Sequence, residues 1–195
     1  MTRAADITRT TGETDVRLAL ALDGRGEGRR ETGVGFFDHL LAALAKHGRM
    51  DLDVETRGDL ETGPHHTVED TGIALGQALD RALGDRSGIA RYGEATVPMD
   101  EALVACALDI SGRPYVLVRG EVPGVAVAGF DADLLEEFLR AVANAARMTV
   151  HLRIEEGRNA HHVIEAAFKA FARALRAAAS LDASDPGVPS TKGLL

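Results

Sequence analysis

A histidine-histidine-x-x-glutamate motif occurs twice in this chain of 195 residues, as His65-His66-Thr67-Val68-Glu69 and as His161-His162-Val163-Ile164-Glu165. The two copies hold four of the chain's seven histidines. The first histidine and the glutamate of each copy are four residues apart, so on an α-helix they lie on one face, one turn apart. An imidazole and a carboxylate placed in this way can bind one divalent cation. A single histidine near a helix start is usually a polar surface or capping residue, but the repeated spacing predicts metal binding.

The second histidine of each motif points in a different direction, because it is rotated by about 100° around the helix axis from its neighbour. It cannot readily bind the same ion as the rest of its own motif. The simplest arrangement therefore has two ions, each with the outer pair of one motif and the second histidine of the other. One ion is bound by His65, Glu69 and His162, and the other by His161, Glu165 and His66. The exchange can occur within one chain or between chains, and the sequence leaves both open.

Two further histidines, His39 and His151, are available to give each ion a fourth protein ligand. Imidazole and carboxylate donors without a thiolate suit manganese, iron(II), cobalt or zinc. Four protein ligands leave open coordination positions, which are typical of catalytic sites rather than structural ones.

The composition restricts the class of protein. The net charge of −8 argues against nucleic acid or an anionic membrane as the main partner. The chain shows no signal peptide and no long apolar stretch, so we expect a cytoplasmic protein without a membrane segment. The only cysteine, Cys106, lies in an apolar run and is predicted to pack inside a strand.

The apolar pattern predicts the same order of elements in both halves of the chain: strand, strand, helix, strand, and a helix that starts with the metal motif. Arg49-Met50 and Arg147-Met148 lie at matching junctions between a helix and a strand. We therefore expect an internally duplicated α+β fold. Each half forms a mostly antiparallel sheet with helices on one face, and the helix layers pack together. The predicted halves are residues 1–86 and 87–181, with 84–102 as the linking segment and 182–195 as a tail of a composition that is usually disordered.

Six further segments are distinctive: Phe37-Asp38-His39-Leu40-Leu41, His47-Gly48, Gly58-Asp59-Leu60-Glu61, Arg91-Tyr92-Gly93, Asp109-Ile110-Ser111-Gly112-Arg113-Pro114 and Pro189-Ser190-Thr191-Lys192-Gly193. With the two metal motifs, they resemble the imidazoleglycerol-phosphate dehydratase family of histidine biosynthesis over nearly the whole chain. The resemblance implies two similar sheet-and-helix halves and two Mn²⁺ ions per active site. It also implies a homo-oligomer of about twenty-four subunits built from trimers, with active sites between subunits. By the same resemblance, His39 joins the His161/Glu165 ion and His151 joins the His65/Glu69 ion.

The implied reaction removes water from a small phosphate substrate, D-erythro-imidazoleglycerol phosphate, to give imidazole-acetol phosphate. The proton is lost from a carbon that has no carbonyl beside it, so the imidazole of the substrate must supply the activation. A cation at each ring nitrogen would favour the imidazolate and help the ring to expel the neighbouring hydroxyl. Two cations at opposite ends of one ring explain why the motif is present twice.

The resemblance also implies which residues contact the substrate. Glu13 is the candidate for acid–base catalysis, although the sequence alone favours an exposed acid and a metal-bound water could be the base instead. His47 is a candidate for the same pocket, but a histidine also suits the C-terminus of a helix. For the phosphate group the candidates are Arg91, Arg113, Lys169, Ser190 and Lys192. Thr191 is a further candidate for substrate binding, and the tail 182–195 is expected to cover the substrate, with Ser190 and Lys192 becoming ordered over it.

Two other classes of protein are compatible with these residues. A dinuclear hydrolase of phosphate esters also uses paired metals and arginines, with the metals about 3.5–4 Å apart. A metal-stapled assembly would use closed coordination only to hold its subunits together. The dehydratase hypothesis differs from both, because it requires two ions with open positions separated by an imidazole ring.

Overall fold

The computed structural model describes residues 3–195, which form two four-stranded sheets, a short two-stranded ribbon and four α-helices. The first half contains β1 (Ala4–Thr10), β2 (Thr14–Ala21), β3 (Arg30–Glu31), α1 (Gly35–Gly48), β4 (Asp51–Gly58) and α2 (His65–Leu83). The second half contains β5 (Tyr92–Met99), β6 (Ala102–Asp109), β7 (Tyr115–Arg119), α3 (Leu134–Ala146), β10 (Thr149–Glu156) and α4 (Ala160–Ala179). The ribbon of β8 (Ala126–Val127) and β9 (Phe130–Asp131) lies between β7 and α3, and one 3₁₀ turn, Leu60–Thr62, precedes α2.

The two large sheets have the same topology, which confirms the predicted duplication. Their strand orders are β1-β2-β4-β3 and β5-β6-β10-β7. The last pair of each sheet is parallel, and the other pairs are antiparallel. Helix α2 packs on β1 and β2, and α4 packs on β5 and β6. The fold is therefore the expected α+β arrangement of two similar sheet-and-helix halves.

The apolar pattern does not detect the first strand of either sheet, β1 or β5. Both are edge strands, so packing constrains their side chains less than those of central strands. Only Ile7 is buried in β1, and β5 alternates exposed with half-buried residues and contains Pro98, which an edge strand tolerates. The interpretation of residues 84–102 as only a linker is thus wrong for Tyr92–Met99. In the first half, the predicted strand ending near Val34 is confined to the two residues of β3.

Helices α1 and α3 end with the same backbone conformation. The residue after each helix, Arg49 or Arg147, lies in the left-handed region with φ of 52° and 54°. The N–H of the next residue donates to a carbonyl five residues earlier, at 3.1 Å for Met50 and 3.0 Å for Met148. The arginine-methionine pairs noted in the sequence are therefore equivalent turns that direct the chain into β4 and β10.

The helices of the two halves pack against each other, α1 on α4 and α2 on α3, around one hydrophobic core. Aromatic side chains from both halves meet there, with the ring centroids of Phe37 and Phe138 5.5 Å apart. Helices α2 and α3 approach closely because α2 presents glycine to its partner. A Cβ atom on Gly76 would lie 2.5 Å from the carbonyl oxygen of Val142. This cross-packing brings side chains of the first half next to those of the second.

Two expectations concern the environment of the chain. Cys106 is buried in β6 as predicted, and burial raises the pKa of its thiol to about 12. Among residues 3–195, no helix combines the length with the apolar composition that crossing a membrane requires.

Substitution of Gly76 by alanine tests the close contact between α2 and α3. The added Cβ would collide with backbone, so we expect Gly76→Ala to lower the free energy of unfolding by about 1–3 kcal/mol despite the better helix propensity of alanine. Urea unfolding measures the change, and Gln77→Ala on the same helix is the control. Equal or greater stability of Gly76→Ala would contradict the packing described here.

Candidate metal centre and active site

Both metal motifs lie in the first turn of a helix. Helix α4 follows Asn159, whose side-chain oxygen accepts hydrogen bonds from the N–H groups of His161 and His162 at 2.9 and 3.5 Å. Asn159 is therefore the N-cap of α4. Helix α2 follows Pro64, which occupies its cap position. Side chains in a first turn are not covered by a preceding turn, so the histidines of both motifs remain accessible.

Helix α1 brings His39 to the second motif. The Nε2 atoms of His39 and His161 lie 2.9 and 3.0 Å from the same Oε2 atom of Glu165. One candidate ligand atom from each of these residues lies within 4.8 Å of the others. Helix spacing alone accounts for the His161–Glu165 pair, whereas His39 joins it because α1 packs on α4. Three of the four residues expected around this ion are thus together in one chain.

The carboxylate of Glu165 is buried, and its surroundings keep it ionised. Its second oxygen, Oε1, lies 2.6 Å from Nζ of Lys169, one turn further along α4. Burial alone would raise the pKa of Glu165, but hydrogen bonds from Lys169 and His39 outweigh it and lower the pKa to about 2. The site therefore contains an ionised carboxylate, that of Glu165, beside the ammonium group of Lys169. Both residues were predicted to belong to the site.

His47 lies in the last turn of α1 and is half-buried. Burial lowers its pKa, and the positive charges of Lys169 and Arg173 lower it further. A histidine in this environment is neutral at neutral pH. Its position near Lys169 is consistent with the predicted pocket.

The first motif is more open than the second. Nε2 of His65 lies 3.8 Å from Oε2 of Glu69, and both side chains are about half exposed. Within residues 3–195, these two form no group of three with another histidine or acid. His65 and Glu69 thus form the expected pair, but the other two predicted ligands, His151 and His162, are not grouped with them.

The second histidine of the first motif, His66, lies between two acids. Its Nδ1 atom is 3.0 Å from Oδ2 of Asp59, and its Nε2 atom is 3.6 Å from Oε1 of Glu13. The hydrogen bond with Asp59 raises the pKa of His66, and the negative charge of Glu13 adds to the effect. Glu13, the predicted acid–base residue, is therefore next to a predicted metal ligand.

The second histidine of the other motif, His162, has a similar environment built from other residues. Its Nδ1 atom is 2.8 Å from Oε2 of Glu101, and its Nε2 atom is 3.7 Å from Oδ2 of Asp100. The hydrogen bond from His162, followed by those from the N–H groups of Arg158 and Asn159, lowers the pKa of Glu101 to about 2. Among residues 3–195, each second histidine thus contacts acids of its own chain and is not grouped with the histidine and glutamate of the other motif.

His151 lies on β10, and its exposed side chain is on the face of the sheet opposite the core. Its neighbours Val150 and Leu152 are buried, as the alternation of a strand requires. Within the described part of the chain, His151 forms no group of candidate ligands with His65 and Glu69.

Three of the phosphate candidates lie around Asp109 and the tail. Nε of Arg91 donates to Oδ1 of Asp109 at 2.8 Å, and its Nη1 donates to the carbonyl oxygen of Pro189 at 2.9 Å. Arg113 is largely exposed, with Nη2 3.9 Å from the same aspartate. Ser190 follows directly after the residue that Arg91 holds. These three predicted residues are therefore neighbours.

The tail follows a defined path in the structure. The N–H of Gly88 donates to the carbonyl oxygen of Gly187 at 2.8 Å, so the tail crosses the start of the second half. Beyond that contact, the N–H of Lys192 donates to Oγ of Ser190 at 3.2 Å, and Thr191 and Lys192 are exposed. Composition alone suggests that residues 182–195 are disordered, whereas in the structure specific backbone contacts hold this segment.

Three acids of the site were not predicted from the sequence: Asp59, Glu101 and Asp70. Asp70 is buried and accepts hydrogen bonds from Arg9 and Thr11, which holds the β1–β2 turn against α2. Glu101 contacts His162 across 61 residues, so no helical or strand spacing indicates that contact. Asp59 is seven residues from His66 but lies outside α2, so helix spacing does not indicate that contact either. The distinctive segment Gly58-Asp59-Leu60-Glu61 was the available signal for Asp59.

Comparison with known proteins agrees with this geometry. The family model described as imidazoleglycerol-phosphate dehydratase matches residues 32–175. The enzyme of that name from Moorella thermoacetica is 55% identical to this chain, and the match covers 100% of both chains. The enzyme from Halorhodospira halophila is also 55% identical, over 99% of this chain and 98% of its own length.

Solved structures show the same fold. Imidazoleglycerol-phosphate dehydratase from Staphylococcus aureus has a TM-score of 0.83 and 39% identity, over 91% of this chain and 99% of its own. The enzyme from Pyrococcus furiosus, solved in complex with (S)-C348, has the same TM-score and identity over 97% of this chain and 100% of its own. From the matching family model, the full-length relatives and the shared fold, we conclude that this chain belongs to the imidazoleglycerol-phosphate dehydratase family.

Proposed function

We propose that this chain removes water from D-erythro-imidazoleglycerol phosphate to give imidazole-acetol phosphate, and that each active site uses two Mn²⁺ ions. The observation that carries the proposal is the convergence of His39, His161 and Glu165 in a chain of this family. Two imidazole nitrogens and a carboxylate suit manganese. Ligand atoms about 2.1 Å from one ion at right angles are about 3 Å apart. The separations of 2.9 and 3.0 Å observed here fit that requirement.

Neighbouring copies of the chain complete both ion sites in this proposal. Supporting it, each motif has only part of its ligand set nearby, while His66, His151 and His162 remain at least partly exposed. One ion is bound by His39, His161, Glu165 and a neighbour's His66, and the other by His65, Glu69, His151 and His162 drawn from more than one copy. The enzyme is thus a homo-oligomer, with active sites between subunits and about twenty-four subunits assembled from trimers, and it works in the cytoplasm.

The elimination takes a proton from one carbon of the glycerol arm and a hydroxyl from the carbon next to the ring. They leave as water, and the resulting enol becomes the ketone. The bound cations supply Lewis-acid polarisation of the substrate's imidazole. Glu13 transfers the proton: its carboxylate lies 3.6 Å from Nε2 of His66, and Asp70 holds the turn that carries it.

The phosphate group is held by cations at two places. Lys169 lies beside the ion site through its contact with Glu165, and His47 is close to it. The second group of phosphate-binding residues lies around Asp109 and the tail. It consists of Arg91, Arg113, Ser190, Thr191 and Lys192.

Metal removal tests the proposal as a whole. We expect turnover of imidazoleglycerol phosphate to fall at least about 100-fold after chelation and to return when Mn²⁺ is added, because the ring is no longer activated without the ions. Ketone formation and inorganic phosphate release are measured separately. Phosphate release without ketone would identify a hydrolase, and metal-dependent assembly without turnover would identify a structural staple.

The substitution Glu13→Gln tests the proton transfer. The amide keeps the size of the side chain but cannot accept the proton, so we expect kcat to fall by a factor of about 10²–10⁴ with unchanged metal content. Metal analysis and steady-state kinetics give the two quantities, with Glu27→Gln in an exposed loop as the control. A kcat close to that of the original enzyme would remove Glu13 from the mechanism.

Shortening the tail tests the second phosphate place. A chain that ends at Gly187 loses Pro189, Ser190 and Lys192, so we expect KM to rise at least about 10-fold while the unfolding midpoint changes little. A chain that ends at Lys192 retains these residues and serves as the control. The same KM for both shortened chains would exclude the tail from substrate binding.

A further inference from the structure

The second histidines of the two motifs share one hydrogen-bonding feature. In each ring, Nδ1 contacts a carboxylate from outside its helix: Asp59 for His66, at 3.0 Å, and Glu101 for His162, at 2.8 Å. In contrast, His39 and His161 contact Glu165 through Nε2. The acids beside the second histidines thus contact Nδ1, whereas Glu165 contacts Nε2 of His39 and His161.

The chemistry of these contacts determines where the ring proton lies. An ionised carboxylate only accepts hydrogen bonds, so Nδ1 must carry the hydrogen and donate it. In a neutral imidazole the other nitrogen, Nε2, then has a free lone pair. Whenever they are neutral, both rings are therefore held in the form that can bind a cation through Nε2.

The two acids are themselves held in position. Glu101 accepts the N–H groups of Arg158 and Asn159 at 3.0 and 2.7 Å through Oε1, which leaves Oε2 for His162. Asp59 accepts the hydroxyl of Thr62 at 2.9 Å, and its own N–H donates to the carbonyl of Glu13 at 3.2 Å. Each ring is thus oriented by an acid with little freedom of its own.

The Nε2 side of both rings is accessible and surrounded by negative charge. Glu13 lies 3.6 Å from Nε2 of His66, and Asp100 lies 3.7 Å from Nε2 of His162. These separations exceed that of a hydrogen bond, so neither acid occupies the lone pair. The rings are 34% and 25% exposed, which leaves room for a cation shared with a neighbouring copy.

We propose that Asp59 and Glu101 are positioning residues, which hold His66 and His162 as Nδ1–H tautomers and present Nε2 to the divalent cation. The inference rests on the proposed function for the identity of that cation. The two halves reach the same result with unrelated residues: Asp59 follows β4, whereas Glu101 lies at the turn between β5 and β6. Each acid acts through its histidine and touches neither the ion nor the substrate.

The near-isosteric variants Asp59→Asn and Glu101→Gln test the inference. The new amide can donate to Nδ1 and move the ring proton to Nε2, so we expect Mn²⁺ affinity to fall about 10–100-fold. Equilibrium dialysis with Mn²⁺ alone measures the affinity of the full-length protein. The matched control is Glu27→Gln, which removes an exposed loop acid that contacts neither histidine and should change the affinity less than about threefold.

Two further measurements separate positioning from folding. Solid-state ¹⁵N NMR of histidine-labelled, metal-free protein is recorded above the raised pKa of both rings, where they are neutral. It should show the Nδ1–H form of both rings in the original chain and its loss for His162 in Glu101→Gln. Saturating Mn²⁺ should restore most of kcat in both variants, because the reacting groups are unchanged. A fall in affinity only together with a lower unfolding midpoint would count against the positioning role.

The outcomes also distinguish this inference from the proposed function. If the original chain binds no Mn²⁺ and turns over substrate without it, the Mn²⁺ dependence in the proposed function fails. If the original chain depends on Mn²⁺ and both amide variants bind it equally well, only the positioning role is overturned.

Discussion

The packing of α1 from the first half on α4 from the second half is the contact on which the candidate metal site depends. Helix spacing alone places one histidine and one glutamate together, and a divalent cation needs more ligands than that. The contact between α1 and α4 adds His39 and buries the carboxylate of Glu165. Burial of an ionised acid is unfavourable unless it is paired, and Lys169 with the two histidines supplies the pairing. The same packing thus brings three candidate ligands together and places a buried negative charge among them.

The duplication is exact in topology but not in chemistry. The equivalent turns after α1 and α3 align Arg49 with Arg147, and the same alignment places Glu137 where His39 stands in the first half. Helix α3 therefore cannot offer the histidine that α1 offers. Within residues 3–195, the His65–Glu69 pair has no third candidate ligand beside it, and a neighbouring copy supplies one in the proposed assembly. In that proposal, assembly is part of the chemistry.

Much of the fold follows from the sequence because its central elements carry strong periodic patterns. The four helices and the inner strands were predicted from apolar spacing, and the repeat of their order indicated the duplication. Strands β1 and β5 were missed because an edge strand buries few side chains, so its pattern is weak. The acids that hold His66 and His162 were missed for other reasons: Glu101 is 61 residues from His162, and Asp59 is only seven residues from His66 but lies outside its helix, so helix spacing indicates neither contact.

The sequence by itself determined the two motifs, the repeat and the family, because helix geometry converts a spacing of four residues directly into a shared face. Tertiary structure decided which histidine joins which glutamate and which nitrogen of each ring faces a carboxylate. It also decided that residues 3–195 of one chain bring together neither predicted set of four ligands. These properties depend on which side chains meet when separate helices and turns pack together. Distances between segments far apart in the chain are set by the packing of the whole core, so local sequence spacing cannot predict them.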